Sequence, residues 1–126
     1  MDPFLLALIL LIIGILFILY MMLQARKLKC EFVKIPNSDL GLRVCLLSDI
    51  HIGLLIVPPE SISRAINENK PDIIILAGDM LELENEIPKF KAWAQKVLPG
   101  YPVFAVLGNH DYKCLNSSQK SKDIFF

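Results

Sequence analysis

Hydrophobic and polar positions divide this chain into two unlike parts. Pro3 to Leu23 is an apolar run of 21 residues that carries no charge. It has no polar face, so it does not read as the amphipathic helix of a globular core. Its length matches the roughly 20 residues a helix needs to cross a hydrocarbon core about 30 Å thick. Beyond it, short apolar runs alternate with stretches of helical period. Glu31 to Ile35 alternates and predicts an edge-like strand. Pro36-Asn37-Ser38-Asp39 predicts a turn. Leu42 to Ser48 is a short apolar run and predicts a buried strand.

The alternation then repeats. Pro59-Glu60-Ser61 opens a helix that runs to about Asn69, with Ile62, Ala65 and Ile66 on its inner side. Proline suits the first turn, and the acid suits its positive end. Ile73 to Ala77 predicts the next strand. A helix from about Pro88 to Leu98 follows, with Ile87, Phe90, Trp93, Ala94 and Val97 at three- and four-residue spacing. Trp93 on that stripe reads as core. Pro99-Gly100 stops the helix, and Val103 to Leu107 predicts a last strand. The order is β-β-α-β-α-β, an α/β class with right-handed parallel crossovers.

Charge orients the apolar run. Arg26, Lys27, Lys29 and Lys34 follow it, and no Lys or Arg precedes it. The positive-inside rule places the following residues in the cytoplasm, behind a single pass through the cell membrane. The basic cluster also favours anionic headgroups, so the polar part should lie close to the bilayer. A cleaved secretory signal would begin with basic residues and end at a small-residue site. Here Asp2 precedes the run and no A-x-A site follows. Formal net charge is 0, and no basic stripe interleaved with aromatics is present, which speaks against nucleic acid as a partner. Cys30, Cys45 and Cys114 form neither a C-x-x-C pair nor an even framework. Cys45 reads as a small core residue.

Three polar motifs close the three later strands. They are Asp49-Ile50-His51, Gly78-Asp79-Met80-Leu81-Glu82 and Gly108-Asn109-His110-Asp111. Asp79 stands 30 residues after Asp49, and Asn109 stands 30 residues after Asp79. A parallel sheet brings successive strand ends to one edge, so these motifs should meet. Carboxylate, imidazole and amide oxygen are ligands for hard-to-borderline divalent ions.

Together the motifs resemble the calcineurin-like metallophosphoesterase family, most closely its bacterial membrane-associated phosphodiesterase branch. The resemblance covers roughly residues 42 to 112. It implies the N-terminal half of an α/β sandwich behind one transmembrane helix. The expected layout is an anchor over 1–25, a basic linker and edge strand over 26–41, the domain over 42–112 and a tail over 113–126. That tail, Lys113 to Phe126, reads as disordered or as out-of-frame coding after a truncation.

The resemblance also implies a chemistry. Two divalent ions (Mn, Fe, Zn or Ni) would clamp a phosphate ester and activate water. Asp49, His51 and Asp79 match ligands of the first ion, and Asp79 with Asn109 match ligands of the second. His110 matches the group that protonates the leaving oxygen. Asp111, beside it, could orient that imidazole. Glu82 reads as an outer acid or as a solvated loop carboxylate. The family's later histidine motifs are absent, since His51 and His110 are the only histidines. Metal binding should therefore be weakened. The expected function is membrane-anchored phosphodiester hydrolysis, on a phospholipid or lipid-linked diphosphate. The alternative is a non-catalytic remnant or interaction module.

Overall fold

A computed structural model of the chain describes residues 2–36 and 40–115. The turn cluster at 37–39 and the tail from 116 onward lie outside the described residues.

Helix α1 spans Pro3–Ala25. Asp2 caps it, accepting a hydrogen bond from the Phe4 N–H at 3.0 Å, and proline occupies the first turn. At 1.5 Å per residue its 23 residues extend about 34 Å. No part of it is buried, and its length and composition meet the requirement for a membrane span. A helix suits that role because it satisfies its own backbone hydrogen bonds.

A three-stranded parallel sheet follows, with β1 (Val44–Leu47), β2 (Ile73–Ala77) and β3 (Val103–Val106) in that spatial order. Val44 pairs with Ile73, and Ile74 with Val103. Helix α2 (Pro59–Asn69) connects β1 to β2, and α3 (Ile87–Val97) connects β2 to β3 after a single 3-10 turn at Glu84–Glu86. Both connections step the same way across the sheet. Right-handed crossovers of that kind put both helices on one face.

That face carries the core. Ile74 and Leu76 of β2 are buried against Ile62 and Ile66 of α2 and Phe90, Trp93 and Val97 of α3. Phe90 and Trp93 stack at 5.7 Å. Cys45 and Leu47 pack on the same cluster from β1. The opposite face is open: Val44, Leu46, Phe104 and Val106 are all exposed, Leu46 to 63 % and Val106 to 64 %. Residues alternate between faces in a strand, and this open set is as apolar as the covered one.

The α/β class and the parallel sheet match expectation, with two corrections. Glu31 to Ile35 forms no strand, so the order is β-α-β-α-β. Phe32, Val33 and Ile35 are exposed instead, to 79, 85 and 71 %. β-Forming residues need a pleated, half-buried surface to settle on, and no neighbouring strand supplies one here. Second, the region read as a tail from Lys113 begins inside a helix. Helix α4 spans Asn109–Leu115, starting within the third polar motif.

Candidate metal centre

The parallel order puts the ends of β1, β2 and β3 on one edge. Past the strands, the first two chain segments stay zipped together. The Asp49 N–H donates to the Gly78 carbonyl at 3.2 Å, the His51 N–H to Asp79 O at 3.0 Å, and the Ile52 N–H to Met80 O at 3.0 Å. This ladder brings the first motif against the second.

Asp49, His51 and Asp79 converge there. One ligand atom from each lies within 4.8 Å of the others. Their backbones are also unusual. Four described residues other than glycine have positive φ, and three are Asp49 (52°), His51 (40°) and Asp79 (53°). Side chains other than glycine enter this region at a cost of about 1–3 kcal/mol, and such residues cluster at functional sites. The fourth, Lys70, closes α2 in the left-handed form that helix ends commonly adopt.

The donor set fits a divalent cation: two carboxylates and one imidazole on a partly exposed edge. His51 is held from one side: its Nδ1 is buried, with Glu82 Oε1 2.7 Å away.

Two glycines make the packing possible. Gly78 has φ 81°, and a Cβ there would lie 3.1 Å from Gly108 Cα. A Cβ on Gly108 would lie 2.2 Å from Asp79 Oδ1. The third loop therefore rests directly on Asp79, and the His110 N–H donates to the same oxygen at 3.0 Å. Ser48 steadies the first loop; its hydroxyl lies against the Asp49 carboxylate and 3.1 Å from the Ala77 carbonyl.

His110 joins the group from α4. Its ring meets His51 edge-on, with centroids 5.5 Å apart and planes at 82°. Glu82 sits between the two rings, with Oε1 2.7 Å from His51 Nδ1 and Oε2 2.9 Å from His110 Nδ1. Glu82 thus takes the place beside His110 expected for Asp111. Asp111 is fully buried and faces backbone. It accepts hydrogen bonds from the N–H groups of Met80, Leu81 and Gly108, each at 2.9 Å. Adjacent residues on a helix do not face each other, so His110 and Asp111 diverge. Asn109 opens α4, exposed at the same edge.

Glu82 is the residue that sequence reasoning undervalued. The signal was its place three residues after Asp79, within the motif's own span. Glu86 was missed outright. Its carboxylate accepts hydrogen bonds from the Glu82 and Leu83 N–H groups at 2.8 and 3.2 Å, and so holds the loop that carries Glu82. A 3-10 turn placed by tertiary packing has no clear sequence signature.

Comparison with known proteins points to one family. A family profile described as calcineurin-like phosphoesterase matches residues 42–125, past the boundary at 112 drawn from the motifs. The uncharacterized metallophosphoesterase YkoQ of Bacillus subtilis is 39 % identical over 74 residues, which are 56 % of this chain and 27 % of that protein. A zebrafish (Danio rerio) transmembrane protein with metallophosphoesterase domain is 32 % identical over 84 residues, 63 % of this chain and 19 % of its own length. The uncharacterized metallophosphoesterase Cj0846 of Campylobacter jejuni is 29 % identical over 97 residues, 71 % of this chain and 25 % of that protein. The chain thus spans about a quarter or less of the length of these relatives. No solved structure matches.

Proposed function

The chain belongs to the calcineurin-like phosphoesterase family, and from that premise we propose that it carries part of the centre of a membrane-anchored, metal-dependent phosphodiesterase. The observation that supports this reading most directly is the convergence of Asp49, His51 and Asp79 on strained backbone. These residues would hold the first divalent ion, and Asp79 with Asn109 would contribute to a second. Such ions would supply Lewis-acid chemistry, polarising a phosphate ester and activating water for attack.

The chain's own residues do the rest. Gly108 rests directly on the Asp79 carboxylate, and Gly78 leaves room for Gly108 to do so. The His110 N–H on Asp79 Oδ1 fixes one of its oxygens and leaves the other for a ligand. His110 would deliver a proton to the leaving oxygen. Glu82 is the positioning residue in this reading, holding the Nδ1 side of that ring so that Nε2 faces the substrate. Asp111 keeps the three loop amides satisfied and so keeps the loops in register.

Helix α1 would place this centre at a membrane, and the zebrafish relative is itself named a transmembrane protein. The basic residues after α1 favour a cytoplasmic centre. A lipid-borne phosphodiester is the substrate class that suits such a location. A specific observation favours a second reading: among the described residues nothing covers the apolar sheet face of Val44, Leu46, Phe104 and Val106. Such a face favours a non-catalytic role for this chain by itself, as a module completed by other polypeptide.

The test is hydrolysis of bis(p-nitrophenyl) phosphate with Mn²⁺, together with metal analysis of the purified chain. Metal-dependent turnover that disappears in Asp79→Asn supports the phosphodiesterase. Turnover unchanged in that variant overturns it. Stoichiometric metal without turnover supports a centre completed elsewhere.

A further inference from the structure

We propose that residues 26–35 form a second membrane contact, an interfacial segment that seats Phe32, Val33 and Ile35 in an anionic leaflet. The proposal rests on the membrane reading of α1, and three observations carry it.

The first is exposure without pairing. The segment follows α1 directly, forms no strand, and leaves Phe32, Val33 and Ile35 exposed to 79, 85 and 71 %. Leu28 adds 39 %. Large side chains this bare in one short stretch mark a surface that meets something apolar. The second is charge. Arg26, Lys27, Lys29 and Lys34 face a single acid, Glu31, in a chain whose formal net charge is 0. Glu31 pairs with Lys29 at 2.6 Å and leaves the others uncompensated by any acid of the segment. Basic residues interleaved with Phe, Val, Ile and Leu suit an anionic headgroup layer, with apolar side chains below it and ammonium groups at its surface. The third is position. A segment that emerges from a membrane span is held at the interface by the span itself, so even weak contacts are made at high local concentration. The consequence is geometric: β1 begins at Val44, and a seated segment holds the sheet close against the leaflet.

The experiment uses the full chain reconstituted into vesicles of phosphatidylcholine, with or without phosphatidylglycerol. Trp93 is the one native tryptophan. The emission difference between Phe32→Trp and the unsubstituted chain reports position 32. Phe17→Trp reports α1 in the same way. With shallow brominated lipids and phosphatidylglycerol, the signal from position 32 should fall below its value in the same lipids without bromine, as interfacial burial of an apolar side chain requires. It should recover when Arg26, Lys27, Lys29 and Lys34 are all changed to Gln. Quenching at position 17 but not at 32 overturns the proposal and leaves the span intact. Quenching at neither position removes the span reading and the proposal with it. A position-32 signal shielded from both lipid bromine and aqueous acrylamide also overturns it, because that position then packs on protein.

Discussion

Gly108 rests on Asp79 with no room for a side chain between them. A Cβ at 108 would lie 2.2 Å from Asp79 Oδ1 and 2.5 Å from its backbone nitrogen. Neither neighbour can swing away, since the nitrogen is main chain and the carboxylate accepts from His110. Gly108→Ala should therefore destabilise the fold by about 1–3 kcal/mol, the usual cost of overpacking. It should also lower Mn²⁺ affinity about tenfold or more, since support of a ligand matters on that scale. Urea titration followed by Trp93 fluorescence, with calorimetric Mn²⁺ binding, checks both.

Asp111 is predicted to act on stability. Asp111→Ala leaves the Met80, Leu81 and Gly108 N–H groups without acceptors, at about 1–3 kcal/mol for each buried donor. Asp111→Asn keeps one acceptor oxygen and should cost less. The urea midpoint should fall in the order wild type, Asn, Ala. Equal midpoints would show that the carboxylate is not structural.

The metal centre makes its own prediction. Asp49→Asn, His51→Ala and Asp79→Asn should each reduce Mn²⁺ affinity about tenfold or more, since these residues converge within 4.8 Å. His110→Asn should have a smaller effect on affinity. A ligand that binds only the folded chain stabilises it by about 2.7 kcal/mol at a hundredfold excess over Kd. That gain should appear in the urea midpoint with Mn²⁺, and should vanish with chelator or with Asp79→Asn.

Thiol chemistry distinguishes the three cysteines. Cys30 is exposed, Cys45 partly buried and Cys114 buried. Burial pushes the Cys45 thiol above its ordinary pKa, with a smaller contribution from Cys30. Burial also raises Cys114, reinforced by the carboxylates of Asp111, Glu86, Glu82 and Glu84. A raised pKa means less thiolate near neutral pH, hence slower alkylation. Iodoacetamide with mass spectrometry should show Cys30 modified first. Cys45 and Cys114 should follow only at higher pH or on unfolding.

Much of this architecture can be read from local pattern. The helix Pro59–Asn69 and the strand Ile73–Ala77 have the bounds their apolar spacing predicts, and α3 and β3 shift by about one residue. Glu31–Ile35 fails the same logic because a strand needs a neighbour to pair with, and pairing is not a local property. The motifs announce a metal-type edge, because Asp, His and Asn at the ends of parallel strands must share one rim. They do not say which carboxylate serves which imidazole. Asp111 adjoins His110 in sequence, yet helical geometry turns it into the backbone, while the loop held by Glu86 brings Glu82 to both rings.

Residue pattern is enough to specify the apolar helix, the alternation of strand and helix, and the edge where Asp49, His51 and Asp79 collect. Those follow from periodicity and from the parallel order it implies. The left-handed backbone at all three residues, the close seat of Gly108 on Asp79, and the placement of Glu82 and Asp111 arise only in the folded chain. Each depends on how separate loops pack in three dimensions, and no local run of residues encodes that distance.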